Sequence, residues 1–207
     1  MSSLALIALL DPDAQHAGQA RAWRDDVLLR CLSALPGAGL SHGYAAFNAH
    51  QLALVTQFDA GTAPRESGTP RVPDGVLLRL DLAVLTYEKL QPATPVRLEQ
   101  GILYSVRFNV PADWADEFDR WYEEEHLEMI YGCDQWAMSR RYRFVDAASA
   151  CGTHLALHYL SDARGLDAPQ LKAARTTPWR NRLVTQRWFT DVEKMIYFQQ
   201  TLPQPLR

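Results

Sequence analysis

Trp121-Tyr122-Glu123-Glu124-Glu125-His126 restates a stretch met earlier in the chain, Trp23-Arg24-Asp25-Asp26-Val27-Leu28. With Trp23 set on Trp121, an offset of 98 residues, Ser41-His42-Gly43-Tyr44 falls on Ser139-Arg140-Arg141-Tyr142 without adjustment. At the same offset Val27 and Leu28 fall on Glu125 and His126, so two apolar positions of one copy are a carboxylate and an imidazole in the other. Further along, Leu52 to Ala60 matches Leu155 to Ala163 at an offset of 103, and the five additional residues fit a longer loop around Asp146 to Gly152. Asp81 and Tyr87 correspond more loosely to Asp191 and Tyr197 at an offset of 110. A repeat of this length points to a duplicated domain, since solenoid repeats run roughly 20 to 50 residues.

Composition narrows the function classes. The chain has 207 residues, 47% of them hydrophobic, and a formal net charge of −3, which fits a globular protein with a substantial core. Its arginines are scattered among acids, so no basic field for a phosphate backbone exists and nucleic acid is not an expected partner. Cys31, Cys133 and Cys151 show neither a CxxC spacing nor an even count, which argues against a disulfide framework or a zinc site and for reduced, cytoplasmic thiols. The apolar run Leu4 to Leu10 is too short to span a bilayer and lacks the basic start of a signal peptide. It reads as a strand, and no membrane association is expected.

Each copy reads as strand, helix, strand, strand, final strand. In the first, Leu4 to Leu10 is followed by Ala20 to Leu35, whose Ala20, Trp23, Val27, Cys31 and Leu35 recur at helical spacing before Pro36-Gly37. Strands follow at His42 to Phe47, Leu52 to Phe58 and Val76 to Tyr87. The Pro- and Gly-rich stretch from Ala60 to Gly75 leaves the second helix of this copy missing or shrunken. In the second copy, Leu103 to Val110 is a strand and Pro111 and Asp113 open a helix to about Tyr131. Ala137 to Val145 and His154 to Leu160 are strands, Ala168 to Arg175 begins a second helix, and a last strand lies within Gln186 to Tyr197. Residues 1–90 thus form one repeat, 91–100 a linker, 101–200 a second repeat and 201–207 a tail. A strand-helix-strand-strand-helix-strand unit gives an antiparallel sheet with helices on one face, the ferredoxin-like plan. Its uncovered face is apolar, and two such sheets packed face to face within one chain satisfy each other. A homodimer remains compatible with this arrangement.

At about 100° per residue, with Trp114 at zero, Phe118, Trp121, Glu125 and Met129 all lie within about 60° of the origin. Glu125 therefore falls at the centre of the apolar arc and His126 at its edge, while Glu123 and Glu124 point to solvent. A carboxylate turned toward a core must be paired, hydrogen-bonded or protonated, so a polar pocket is implied. Arg140 and Tyr142 share a strand face with Met138 and Phe144 and are the expected partners; a purely structural Glu125–Arg140 ion pair is the alternative. His154 and His158 share one face of their strand, a polar surface that would need a third ligand to hold a metal. His16, His42 and His50 read as loop or strand-end residues. In Thr176-Thr177-Pro178-Trp179-Arg180, Pro178 can begin a helix after a threonine cap, and Trp179 either lids the pocket or packs.

The span Tyr104 to Phe144, with its apolar strand, its helix carrying Phe118, Trp121 and Glu125-His126, and the following strand with Arg141-Tyr142, resembles the dimeric α+β barrel superfamily. Within it the chain looks most like the EthD-like proteins. That resemblance implies tandem ferredoxin-like repeats whose antiparallel sheets pack as an intramolecular pseudo-dimer. Superfamily members include lactone isomerases, polyketide cyclases and dehydratases, small monooxygenases and haem enzymes, and fold alone does not choose among them.

The residues and the resemblance together lead us to expect a cofactor-independent acid/base enzyme, an isomerase, dehydratase or cyclase, acting on a small aromatic or carbonyl-containing molecule. His126 would move the proton, because imidazole titrates near neutrality. Glu125 would orient a partner or act as a second acid/base group, and Tyr142 and Arg140 would polarise a carbonyl or hold a carboxylate. Trp121, Tyr104, Phe118, Met129 and Trp179 would supply substrate-binding walls. No cofactor or metal is called for. The alternatives are a non-catalytic small-molecule-binding protein and a haem enzyme with His126 or His158 as axial ligand.

Overall fold

Alternating side chains send every second residue of a strand to the opposite face of its sheet, and here both faces of every sheet find cover. The computed structural model describes residues 3–47, 49–58, 71–95, 101–146, 152–200 and 202. In chain order they form β1 (Leu4–Pro12), helix α1 (17–33), β2 (Ala38–Ala46), β3 (Leu52–Phe58), β4 (Val76–Leu90), β5 (Ile102–Phe108), helix α2 (112–130), β6 (Trp136–Phe144) and β7 (His154–Leu160). Three short helices follow, α3 (Pro169–Ala174), α4 (Pro178–Leu183) and α5 (Arg187–Thr190), and then β8 (Glu193–Gln200).

The eight strands close into one antiparallel barrel in the order β1-β3-β2-β8-β5-β7-β6-β4. Within it, β4-β1-β3-β2 and β8-β5-β7-β6 are the same four-strand arrangement, each the sheet of a ferredoxin-like unit. Two seams join the halves, Gly43 to Ala46 against Tyr197 to Gln200 and Ala83 to Leu90 against Met138 to Phe144. Seam pairing leaves neither sheet with an open edge, which is the usual hazard of an isolated β-sheet. The fold is α+β, a tandem ferredoxin-like pseudo-dimer in one chain.

Side chains of both halves fill the barrel. Ile7, Leu9, Val55, Leu103, Tyr142 and Leu157 belong to this interior, a packed core of the kind expected for a small barrel. The outer face of the first half is covered by α1, with Leu28, Leu32, Leu10 and Leu54 in contact. On the second half, α2 and α3 to α5 cover Tyr104, Val106, Phe108 and Trp136. The helix side of that half carries most of the aromatic residues, among them Phe118, Trp121, Tyr122 and Phe189.

Most expected elements occur where their patterns put them, with informative exceptions. β2 begins at Ala38, before His42, because a register shift between Ala38 and Ser41 lets β3 pair with an irregular first turn of strand, as a bulge does. Gly37 adopts φ 72° in the turn leading to it, a backbone conformation that glycine takes without steric cost. Residues expected to hold only a late strand fold first into α5 before β8 starts at Glu193. Thr177 caps α4 ahead of Pro178, its Oγ1 accepting from the Arg180 amide at 3.2 Å, as the sequence suggested. The shrunken second helix expected for the first copy falls largely on residues outside the described set. No helix among the described residues is long and apolar enough to cross a membrane.

Both long helices contain a π-helical segment, Arg24–Leu28 in α1 and Trp121–His126 in α2, at matching positions of the repeat. Such segments are rare and interrupt regular helical phase. This widened turn corrects the helical projection. Val27 is 37% exposed while Leu28 is fully buried, so the inward position of the pair is the one His126 occupies in α2, and Glu125 is not at the centre of the buried arc.

Candidate functional site

A cavity of about 230 Å³ lies between the outer face of the second half-sheet and the helices covering it. β5 contributes Tyr104, Val106 and Phe108, β7 contributes His158, and α2 contributes Trp121, Tyr122 and His126. The other wall comes from Leu171, Arg175, Arg180, Val184 and Phe189, with Lys194 on β8. Each strand residue is there by alternation: Tyr104, Val106 and His158 face the helices, and their neighbours Leu103 and Leu157 face the barrel interior.

His126 reaches this wall from the end of the π-helical segment of α2. Its ring stacks on Trp121 with centroids 5.1 Å apart and meets Tyr122 edge-on at 5.0 Å. Its Nδ1 is shielded from solvent and has no hydrogen-bond partner. Burial, followed by the positive fields of Arg180, Arg175, Arg141 and Lys194, pushes its pKa down to about 3. The imidazole is therefore neutral at physiological pH, with a lone pair available in the tautomer protonated on Nε2.

Behind it runs a buried hydrogen-bond chain. The Tyr122 hydroxyl sits 2.9 Å from His158 Nε2, and His158 Nδ1 sits 2.7 Å from Ser139 Oγ. Burial, with His126 and Arg141 nearby, holds His158 well below its ordinary pKa, and burial raises the Tyr122 phenol above its usual value. Both groups are neutral, which suits a chain of polar groups enclosed by aromatic rings. His158 also stacks against Tyr122 and Tyr104.

Arg141, on the helix-facing side of β6, is buried beneath Phe118 and Tyr122, its guanidinium carbon 4.6 Å from the Tyr122 ring centroid. It pairs with Asp119 and, at 2.5 Å, with Glu123. Asp119 also pairs with Arg143 and lies 3.6 Å from His154 Nε2. Burial would raise the Asp119 carboxyl, but Arg141 and Arg143 outweigh it and hold the group below its ordinary range. Glu123 is raised, chiefly by burial. This network ties α2 to the sheet and fixes the height of the pocket wall.

Four expectations for the site are corrected. Glu125 is not in the cavity wall; it accepts hydrogen bonds from Trp121 Nε1 at 3.0 Å and Thr177 Oγ1 at 2.6 Å, clamping α2 to the start of α4. Arg140 and Tyr142 do not face α2, because beyond the register shift between Trp136 and Met138 the even-numbered β6 residues point to the barrel interior: Tyr142 is part of that core and Arg140 pairs with Glu88 at 2.5 Å. The Glu125–Arg140 pair is absent for the same reason. Glu123, expected in solvent, belongs to the Arg141 network, whereas Glu124 is exposed.

Of the apolar candidates, Trp121 and Tyr104 line the cavity. Phe118, Met129 and Trp179 do not; they pack in the surrounding aromatic core, and the Trp179 indole donates to Glu117 at 3.3 Å. Sequence reasoning missed Tyr122, Arg175, Arg180 and Lys194. Tyr122 was hidden by the π-helical phase, and the three cations sit on separate elements far from the Glu-His motif, with no local signature. Among the described residues no group of three His, Cys, Asp or Glu side chains converges to hold a metal ion.

No protein-family model matches the sequence, and no curated protein matches it. Solved structures match in shape. An anthrone oxidase-like protein superposes with TM-score 0.67 at 11% identity, over 96% of this chain and 92% of that one. An uncharacterized ferredoxin-fold protein from Listeria monocytogenes 4b F2365, related to antibiotic biosynthesis monooxygenases, gives 0.54 at 9% identity over 98% and 97%. A haem-degrading enzyme from Listeria monocytogenes gives 0.52 at 9% identity over 96% and 99%. At such identities the likeness is one of fold, the dimeric α+β barrel built from ferredoxin-like halves.

Proposed function

We propose that the chain is a cofactor-independent acid/base enzyme that removes or relays a proton on a small aromatic or carbonyl-containing metabolite, with His126 as the proton acceptor. One observation carries the reading: an imidazole with an unpartnered nitrogen, on a ring that lines a cavity walled mainly by aromatic and aliphatic groups, with Arg175, Arg180 and Lys194 among the remaining lining residues. Buried polar atoms without partners are exceptions that call for an explanation, and a ligand proton is the partner this geometry lacks. General acid/base catalysis by such a group is typically worth about 10²- to 10⁴-fold.

The other residues take supporting roles. Trp121 and Phe108 hold the flat body of the substrate, and the Tyr122 hydroxyl, its orientation set by His158 and Ser139, donates to a developing oxyanion. Glu125 keeps Trp121, and through it His126, in place. Isomerisation, dehydration and cyclisation each follow from the carbanion or enolate so formed. The EthD-like pattern of α2 agrees with this class, and the shape likeness to anthrone oxidase-like and monooxygenase-related proteins favours a further fate, capture of the same carbanion by dioxygen.

Haem is the cofactor that the haem-degrading enzyme of similar fold brings to mind, and the cavity does not fit it. The cavity of about 230 Å³ holds a single small ring but not a porphyrin, and of the two imidazoles considered as axial ligands His158 has both nitrogens engaged, which leaves only His126. A Soret band in protein purified from haem-replete cells would overturn that conclusion.

The test is proton exchange, which does not require the downstream reaction to be known. A panel of small enolisable aryl ketones and keto acids in D₂O is followed by NMR for loss of the carbon-bound proton. We expect acceleration by the native protein and none by His126→Gln with an unchanged melting temperature. Equal exchange by both proteins sinks the assignment of His126, and no exchange by either across the panel removes the enzyme in favour of a binding protein.

A further inference from the structure

Inside, the cavity is aromatic and aliphatic; at its mouth it is cationic. Arg175, Arg180 and Lys194 come from the end of α3, from α4 and from β8, and no carboxylate is among the lining residues. None of the three forms an ion pair with a described acid, although the chain carries more acids than bases overall. Arg180 is oriented: its Nη1 donates to the Arg175 carbonyl at 2.9 Å, and its guanidinium carbon sits 5.6 Å from the Phe189 ring centroid. Three like charges gathered at one opening repel one another, and burial together with that repulsion lowers Lys194 and Arg180 from their ordinary values. Nearby carboxylates are committed elsewhere, Glu125 to Trp121 and Thr177 and Glu123 to Arg141. The missing counter-charge is an exogenous one.

We propose that this cavity takes an aromatic carboxylate, its ring against Trp121 and Phe108 and its anionic group between Arg175, Arg180 and Lys194, and that a ligand so charged is the one on which His126 acts as base. The first part deepens the reading of the same site as a proton-transfer centre and needs only the cavity. The second follows from electrostatics. The charged and titratable groups facing His126 are Arg141 from β6, Arg175, Arg180, Lys194, Tyr104 from β5, Tyr122 on its own helix and His158 from β7. All that are charged are positive, and positive neighbours disfavour the imidazolium. A bound anion cancels part of that field, so His126 is a stronger base with a charged ligand in place than with a neutral one. Binding energy at a remote group would then be coupled to chemistry at the reacting one.

Benzoate and benzamide, nearly identical in shape and differing in charge, are the probes. Calorimetric titration of the whole chain should show benzoate binding tighter by about tenfold or more, a gap that narrows as salt rises. Lys194→Gln and Arg175→Gln should each erode the preference, while Lys172→Gln, an exposed change on α3 outside the cavity wall, should leave it intact. In parallel, the His126 ring proton should titrate at higher pH in saturating benzoate than in benzamide. Equal binding of the two probes, or no saturable binding of benzoate, overturns the anion site. So does a loss in Lys172→Gln as large as in the cavity variants, since it would reveal a general surface field. An unmoved His126 titration with benzoate bound overturns the coupling. Because these readouts register binding and protonation only, failure of the proton-exchange test leaves them interpretable.

Discussion

The Tyr122 hydroxyl and His158 Nε2 approach to 2.9 Å across the interface between α2 and β7, and both residues are buried to within 2% of complete. Each is the other's only route to satisfaction on that side, since His158 Nδ1 is engaged with Ser139. We therefore expect Tyr122→Phe to destabilise the fold by about 1–3 kcal/mol, the cost of stranding a buried polar atom. Denaturant unfolding checks it. A loss below a few tenths of a kcal/mol would mean that the pair is not a stabilising contact.

Acid should unfold the protein over an unusual window. His126 and His154 are depressed to about 3 and about 4, and His158 lies well below its ordinary value, each chiefly through burial. A histidine depressed in the folded state binds its proton more readily when unfolded, so it costs nothing above the unfolded value of about 6.5 and destabilises progressively as pH falls beneath it. Between pH 6 and 5 the slope of stability should approach three protons, about 4 kcal/mol per pH unit. Glu123, raised chiefly by burial, acts in the opposite sense, because its carboxyl holds a proton more readily in the folded state than in the unfolded one. Unfolding free energies at pH 7.5, 6.5, 6.0 and 5.0 give the curve, and a flat profile to pH 5 contradicts the burial of these imidazoles.

Arg141→Met should cost more than any surface change. The guanidinium holds Asp119 and Glu123 beneath two aromatic rings, and removing one partner of a buried pair typically costs about 3–5 kcal/mol. Asp119 keeps Arg143, so the low end of that range is expected. Restoring stability with the double variant Arg141→Met, Glu123→Leu would confirm that the cost arises from the stranded acid.

Thr177→Val removes two contacts at once, the cap on α4 and the hydrogen bond to Glu125. Loss of the cap alone is worth about 0.5–2 kcal/mol. Glu125→Gln, by contrast, keeps an acceptor for Trp121 and should leave both stability and exchange activity within twofold of the native protein. A collapse of activity in Glu125→Gln would return that carboxylate to a catalytic role.

Much of this architecture was legible in the chain. The strands at Leu52–Phe58 and His154–Leu160 stand where the repeat put them, because alternating apolar residues bounded by turns specify a strand locally. The pseudo-dimer was legible for a similar reason: two sheets, each with an apolar uncovered face, have one economical way to bury it. At the site, His126, Tyr104 and Trp121 line the cavity, and of these His126 is legible in the chain because a polar residue replacing Leu28 stands out when the copies are compared. Arg140 and Tyr142 face the barrel interior, and Phe118, Met129 and Trp179 pack around the cavity rather than line it, because strand parity and helix phase leave an ambiguity that only packing resolves.

The amino-acid sequence by itself determined that the chain folds as two related antiparallel units and that the second differs from the first by an imidazole at a buried helix position. That information is local, carried by periodicity and by comparison of the halves. Only the tertiary structure decided that a π-helical turn brings His126 rather than Glu125 to the inner face, that odd-numbered β6 residues meet α2, and that Arg175, Arg180 and Lys194 gather at one opening. Those outcomes depend on hydrogen-bond slippage within one helix turn and on side chains brought together from distant segments, and neither leaves a mark in residue spacing.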